Sequence, residues 1–161
     1  MKRFLYVLLS CCLLCSTAFA VPDRSLTFAK YRSYTSVYAA PELSTEAAVS
    51  TVEEGNKILA VFEHMSAGFI FTDSGTVESG AVYTNEDEAA SDFLAECMAM
   101  IAFLGEIDFT AYGMLLNQYM SIKADRDSSV YYMASGDAFQ VIKQDPYKYM
   151  FIYLNQDGKT N

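Results

Sequence analysis

Few residues in this chain have the type and spacing that chemistry demands. His64 is the only histidine, so a multi-imidazole metal site and a Ser-His-Asp triad with a spare ligand are both nearly ruled out. Cys97 is the only cysteine beyond the first twenty residues. A nucleophilic Cys97–His64 pair would need an exposed thiol beside the imidazole. Cys97 falls instead between Leu94 and Ile101 on an apolar helical stripe, where a buried, inert thiol is expected. His64, in His64-Met65-Ser66 after an apolar run, reads as a surface turn residue. No serine sits in a G-x-S-x-G elbow and none is followed three residues later by lysine; Thr27 to Lys30 has that spacing without any supporting motif.

Carboxylates are plentiful and correspondingly uninformative. Glu86, Asp87 and Glu88 read as charges at a helix start, where the helix dipole favours them, and Asp125 with Asp127 as part of a solvated loop. Neither cluster, nor Asn155-Gln156-Asp157-Gly158, fits the twelve-residue calcium loop with its central glycine and closing glutamate. Phosphate-cradling glycine motifs are also missing. No catalytic residue, metal or cofactor is expected. The surplus is aromatic: eleven of the twelve tyrosines follow residue 20, and Tyr131, Tyr132, Tyr147, Tyr149 and Tyr153 gather near the C-terminus. Tyrosine joins apolar area to a hydrogen-bonding tip, which suits a partner-binding sheet face. The competing reading places the same rings in the core with their hydroxyls at its rim.

The elements that would carry these residues begin after a leader. Lys2 and Arg3, the apolar run Phe4 to Leu14 and Ala18-Phe19-Ala20 form the three regions of a secretory signal peptide (residues 1–20), with the mature chain expected to start at Val21. The apolar run is short of the about 20 residues that span a bilayer. Lipoprotein processing at Cys11 would leave a very short apolar region and strand a second one in the product. Without the leader the chain carries 9 basic and 20 acidic residues, a formal charge of −11. Such a surface repels nucleic acid and anionic lipid and favours a basic partner. With Cys97 alone no internal disulfide can form, which suits a bacterial periplasmic or secreted protein better than a small secreted eukaryotic domain.

One α+β domain is expected over residues 21–154, followed by a polar tail, 155–161. Residues Val21 to Pro41 are ambiguous: Phe28, Tyr31, Tyr34 and Tyr38 keep helical spacing, whereas the Ser, Thr and Tyr content favours a strand. Ser44 to Val52 reads as a short helix stopped by Gly55-Asn56. Lys57–Glu63, Ala67–Thr72 and Thr76–Thr84 then form an antiparallel meander, with a kink at Gly80. The helix over Asn85 to Gly105 is the clearest element, its face built from Ala90, Phe93, Leu94, Cys97, Met98, Ile101 and Leu104. A second helix spans Phe109 to Lys123 on a stripe of Phe109, Tyr112, Leu115 or Leu116, Tyr119 and Ile122. Strands follow at Val130–Ala134, Ala138–Lys143 and Tyr147–Leu154. The last is apolar on both faces and is expected inside the sheet or beneath a helix, since an exposed edge of that kind aggregates. The expected architecture is an antiparallel sheet of five or six strands with one or two helices on one face. The expected function is non-catalytic binding of a protein partner, inhibitor- or immunity-like. A hydrophobic-ligand pocket between sheet and helices, lined by Met98, Met100, Met114 and tyrosines, is the alternative.

Overall fold

A computed structural model describes residues 23–38, 49–86, 90–105 and 109–156. Helix α1 (Arg24–Tyr38) precedes four strands, β1 (Ser50–Glu54), β2 (Lys57–Val61), β3 (Met65–Phe71) and β4 (Val77–Thr84). Helices α2 (Ala90–Leu104) and α3 (Phe109–Lys123) follow, then β5 (Tyr131–Tyr132), β6 (Ala138–Gln144) and β7 (Tyr147–Leu154). The seven strands form one antiparallel sheet in the order β1-β2-β3-β4-β7-β6-β5. The α+β architecture with an antiparallel sheet is as expected, but the strand count is seven rather than five or six, and three helices are described.

The extra strand is β1. Ser50, Thr51 and Val52, expected at the end of a helix, pair instead with Val61, Ala60 and Leu59, and the Val49 amide donates to the Val61 carbonyl; residues 44–48 lie outside the described residues. Gly55, at φ 60°, turns the chain in a two-residue hairpin loop rather than stopping a helix. The ambiguous N-terminal stretch is helical. Asp23 accepts hydrogen bonds from the Ser25 and Leu26 amides at 3.0 and 3.2 Å, an N-cap that outweighs the β-propensity of its tyrosines. β7 lies between β4 and β6, inside the sheet as its two apolar faces require.

The register sorts residues into rows across the sheet. Ile58, Phe69, Gly80, Tyr153 and Phe139 form one row; Ala60, Ala67, Val82, Phe151 and Val141 form the next. Both rows are buried beneath the helices. Phe28 and Tyr31 of α1 lie on Phe69 at ring separations of 5.9 and 4.6 Å, and Tyr119 of α3 lies on Tyr149 at 5.1 Å. Each such buried ring contributes roughly 1.5–3 kcal/mol by leaving water. The middle helix, α2, crosses above Gly80, where an added Cβ would collide with Met100 Sδ. Glycine lets helix and sheet approach there.

α2 is buried more widely than a single stripe predicts. Glu96, Ala99, Met100 and Phe103 are buried together with Phe93, Cys97, Ile101 and Leu104, whereas Leu94 and Met98 are only partly covered. Flanked by α1 and α3 and lying on the sheet, it has little solvent-facing surface left. On α3, Leu115, Tyr119 and Ile122 are buried as the stripe implies, but Phe109 is 84% exposed in the first turn. The edge strand β5 pairs only with Ala138 and Phe139 of β6, and beyond it side chains close β6: Gln118 Oε1 accepts the Val141 N–H at 2.8 Å, and the Ser128 hydroxyl donates to the Val141 carbonyl.

Candidate functional site: the uncovered sheet face and a buried carboxylate

All three helices lie on one side of the sheet, which leaves the other side to the alternate rows. Val52, Leu59, Gly68, Ala81 and Ile152 run along one of them; Lys57, Ile70, Ser79 and Leu154 flank it on one side, and Val61, Ser66, Tyr83 and Met150 on the other. Gly68 and Ala81 form a low floor, since neither projects beyond a methyl group. Leu59, Ile70, Tyr83, Met150 and Ile152 stand around it as walls. The result is a trough of about 370 Å³, with Glu54 and Lys57 as its charged rim residues. Half-exposed apolar side chains in one continuous patch are the ordinary mark of a binding surface. β2, β3 and β7 are apolar at successive positions rather than at alternate ones, and that pattern was the available sequence signal for a two-faced sheet.

The five C-terminal tyrosines do not share one surface. Tyr149 and Tyr153 are buried on the helix side, Tyr147 is half-buried with its ring 4.4 Å from that of Tyr83, Tyr131 lies 5.2 Å from Phe139 with the rings tilted, and Tyr132 is 67% exposed. Tyr153 donates to Asp137 Oδ2 at 2.8 Å, and burial, reinforced by that carboxylate, pushes its hydroxyl well above the usual phenol range. Asp137 is itself buried; the Ser135 hydroxyl donates to it at 3.1 Å and the Gln156 amide at 3.2 Å. Asn155 donates to the Val77 carbonyl and its amide to the Glu78 carbonyl, both at 3.0 Å, which ties the end of β7 back to β4.

The second feature, missed in the sequence, is Glu96. It falls outside the apolar stripe expected to face the core. In the fold it is fully buried: the Tyr31 hydroxyl donates to Oε1, and Arg32 Nη1 approaches the same oxygen at 2.5 Å. Oε2 has no hydrogen-bond partner among the described residues. Burial pushes the carboxyl above its ordinary range, against the opposing pull of Arg32 and the Tyr31 hydroxyl. The Arg32 guanidinium also lies over the rings of Phe62 and Tyr31, at 4.7 and 5.5 Å. The cluster joins α1 to α2 with Glu96 sealed from solvent and Arg32 at the edge of a concavity, so its chemistry is that of a fastening.

The remaining candidates keep modest roles. Cys97 is fully buried, and burial followed by the neighbouring Glu96 charge raises its thiol well above the usual range, the opposite of what a nucleophile needs. His64 is half-exposed, with Nδ1 2.8 Å from Glu86 and Nε2 3.8 Å from Glu63. Asp87 and Glu88 lie outside the described residues, as do Asp157 and Gly158. Asp125 meets Lys143 at 2.7 Å in a loop on the surface, and that contact lowers its carboxyl pKa. Among the described residues no group of three metal-ligating side chains forms, and no described helix is long and apolar enough to cross a membrane. Met100 is buried in the core, with Met98 and Met114 packed partly covered against it. The chain matches no protein-family model, no curated protein and no solved structure.

Proposed function

We propose that this chain is an exported, non-catalytic protein that binds a protein partner through the uncovered face of its sheet. The observation that carries the reading is the apolar trough over Leu59, Gly68, Ile70, Ala81, Tyr83, Met150 and Ile152. A sheet face left in water is normally polar at alternate positions; this one is apolar across four adjacent strands. The formal charge of −11 without the leader favours a basic partner and would speed its encounter. An inhibitor- or immunity-like role fits a small acidic domain whose interactive surface is a rigid sheet. The signal-peptide reading of residues 1–20 supports a periplasmic or secreted location.

Ile70→Glu and Ile152→Glu place a carboxylate in the trough at half-exposed positions, where substitutions cost little stability. The chain from Val21, immobilised in a bacterial envelope extract at low salt, is expected to retain a protein that both variants release while keeping wild-type circular dichroism. Identical retention by wild type and variants would sink the proposal. The same trough favours a second reading, an amphipathic small ligand. In that case decanoate, rather than a protein, raises the melting temperature, and Ile152→Glu abolishes the rise.

A further inference from the structure

The two edges of the sheet are treated differently. At β6 the groups of Val141 that point beyond the sheet are taken by Gln118 and Ser128. At the opposite edge, all five residues of β1 are exposed. The direction of its backbone groups follows from the ladder. The Phe71 amide donates to the Asn56 carbonyl at 2.8 Å, which turns the alternate residues Ile58 and Ala60 toward β3. Lys57, Leu59 and Val61 therefore bond to Glu54, Val52 and Ser50, and the N–H and C=O groups of Thr51 and Glu53 point outward. β1 has no proline, no lysine and no bulge, three devices that normally blunt an edge. Beside it, between the strand and α1, runs a concavity of about 290 Å³ lined by Ser25, Phe28, Ala29, Thr51, Glu53 and Arg32, whose charge is already paired with Glu96. On its other side Val52 opens onto the trough.

From this geometry we infer that β1 accepts an extended basic segment of the partner as an eighth, antiparallel strand. Backbone groups of Thr51 and Glu53 would supply the ladder, while alternate side chains of the segment enter the α1 groove and the trough. Charge selects the occupant. Among the described residues no cation forms an ion pair with Glu53 or Glu54, and Glu53 takes only the Ser25 hydroxyl at 3.1 Å. Opposite charges facing each other across strands stabilise a ladder, so lysine or arginine belongs opposite these two positions. A second copy of β1 brings two more carboxylates and is disfavoured. The inference rests on the protein-binding reading but concerns the edge, not the trough, so each can fail alone.

The probe is the hexapeptide acetyl-Lys-Lys-Val-Thr-Val-Thr-amide, whose first four residues face Glu54, Glu53, Val52 and Thr51 in an antiparallel ladder. Titrated to millimolar concentration against the folded chain from Val21, it is expected to shift the amide resonances of Ser50–Glu54 and of Ser25 and Ala29. The Thr51 and Glu53 amides, fast to exchange in the free protein, should become protected. Thr51→Pro removes one outward N–H at an edge position that tolerates proline, and should weaken binding at least about tenfold. Methylating alternate peptide nitrogens should do the same without altering the protein, and replacing both lysines by glutamate should abolish binding. The inference is overturned if these amides are already protected in the free protein, if no shift appears at β1, or if the methylated peptide binds equally well. Ile70→Glu and Ile152→Glu release of a partner is read separately, so loss of that effect tests the trough and not the edge.

Discussion

Replacing Glu96 by alanine leaves Arg32 in the core, between the rings of Phe62 and Tyr31, without its carboxylate, and leaves the Tyr31 hydroxyl without its acceptor. Breaking a buried pair from one side costs about 3–5 kcal/mol, because the remaining charge stays desolvated. For a domain of this size each kcal/mol moves the melting temperature by roughly 3–4 °C, so Glu96→Ala should melt about 9–20 °C lower. Replacing both partners by apolar side chains of similar size, Arg32→Met with Glu96→Leu, removes two desolvation costs at once. The double variant is expected within about 1 kcal/mol of wild type, or above it. Urea denaturation followed by far-ultraviolet circular dichroism and tyrosine fluorescence measures all the species. The direction of the Glu96 shift adds a pH test. A carboxyl whose folded pKa is raised contributes stability at acid pH that is lost as pH rises from its ordinary value through the raised one. Glu96→Gln keeps an oxygen for Tyr31 and Arg32 but cannot ionise, so the wild type should lose stability relative to it across that window. A Glu96→Ala cost under about 1 kcal/mol, or a double variant as unstable as the summed singles, would refute the account of Glu96 as a charge fastening α1 to α2.

Three further outcomes follow from the packing. Gly80→Ala drives a methyl group into Met100 and should cost about 1–3 kcal/mol in urea denaturation, with part of the loss recovered by adding Met100→Ala, which makes room. Ile101→Glu puts an unpaired charge at a fully buried position and should abolish the cooperative thermal transition; Leu94→Glu, on the partly covered flank of the same helix, should remain folded. Tyr153→Phe removes the hydroxyl that donates to Asp137 and should lower stability by about 1.5–3 kcal/mol, read from the urea midpoint with an unchanged denaturant slope.

Much of the fold was legible because its apolar periods are strong. α3 and β7 occur at the expected residues, and β7 takes the interior place that two apolar faces demand. β1 was not legible: Ser-Thr-Val-Glu-Glu carries no apolar alternation, and it is a strand because β2 offers it a ladder, which is tertiary context. α1 was undecided for a related reason, since tyrosines at helical spacing also suit a strand and the Asp23 cap is a single residue. The trough was half legible. Apolar runs on both faces of β2, β3 and β7 imply two covered sides, but which side the helices take depends on Gly80 lying beneath Met100. Glu96 was hidden because its partners, Tyr31 and Arg32, are sixty-odd residues away, and sequence spacing relates only residues a few turns apart.

The place of β7 bears on when the protein can fold. It follows all the other described strands in sequence, yet it joins two halves of the sheet that do not otherwise pair: β1 to β4 on one side, β6 and β5 on the other. Until residues 147–154 have left the ribosome, β4 presents an unpaired edge and the helix-facing core lacks Tyr149, Phe151 and Tyr153. Closure therefore waits for β7 and then forms a ladder with β4, a segment about seventy residues earlier, which is a slow class of contact.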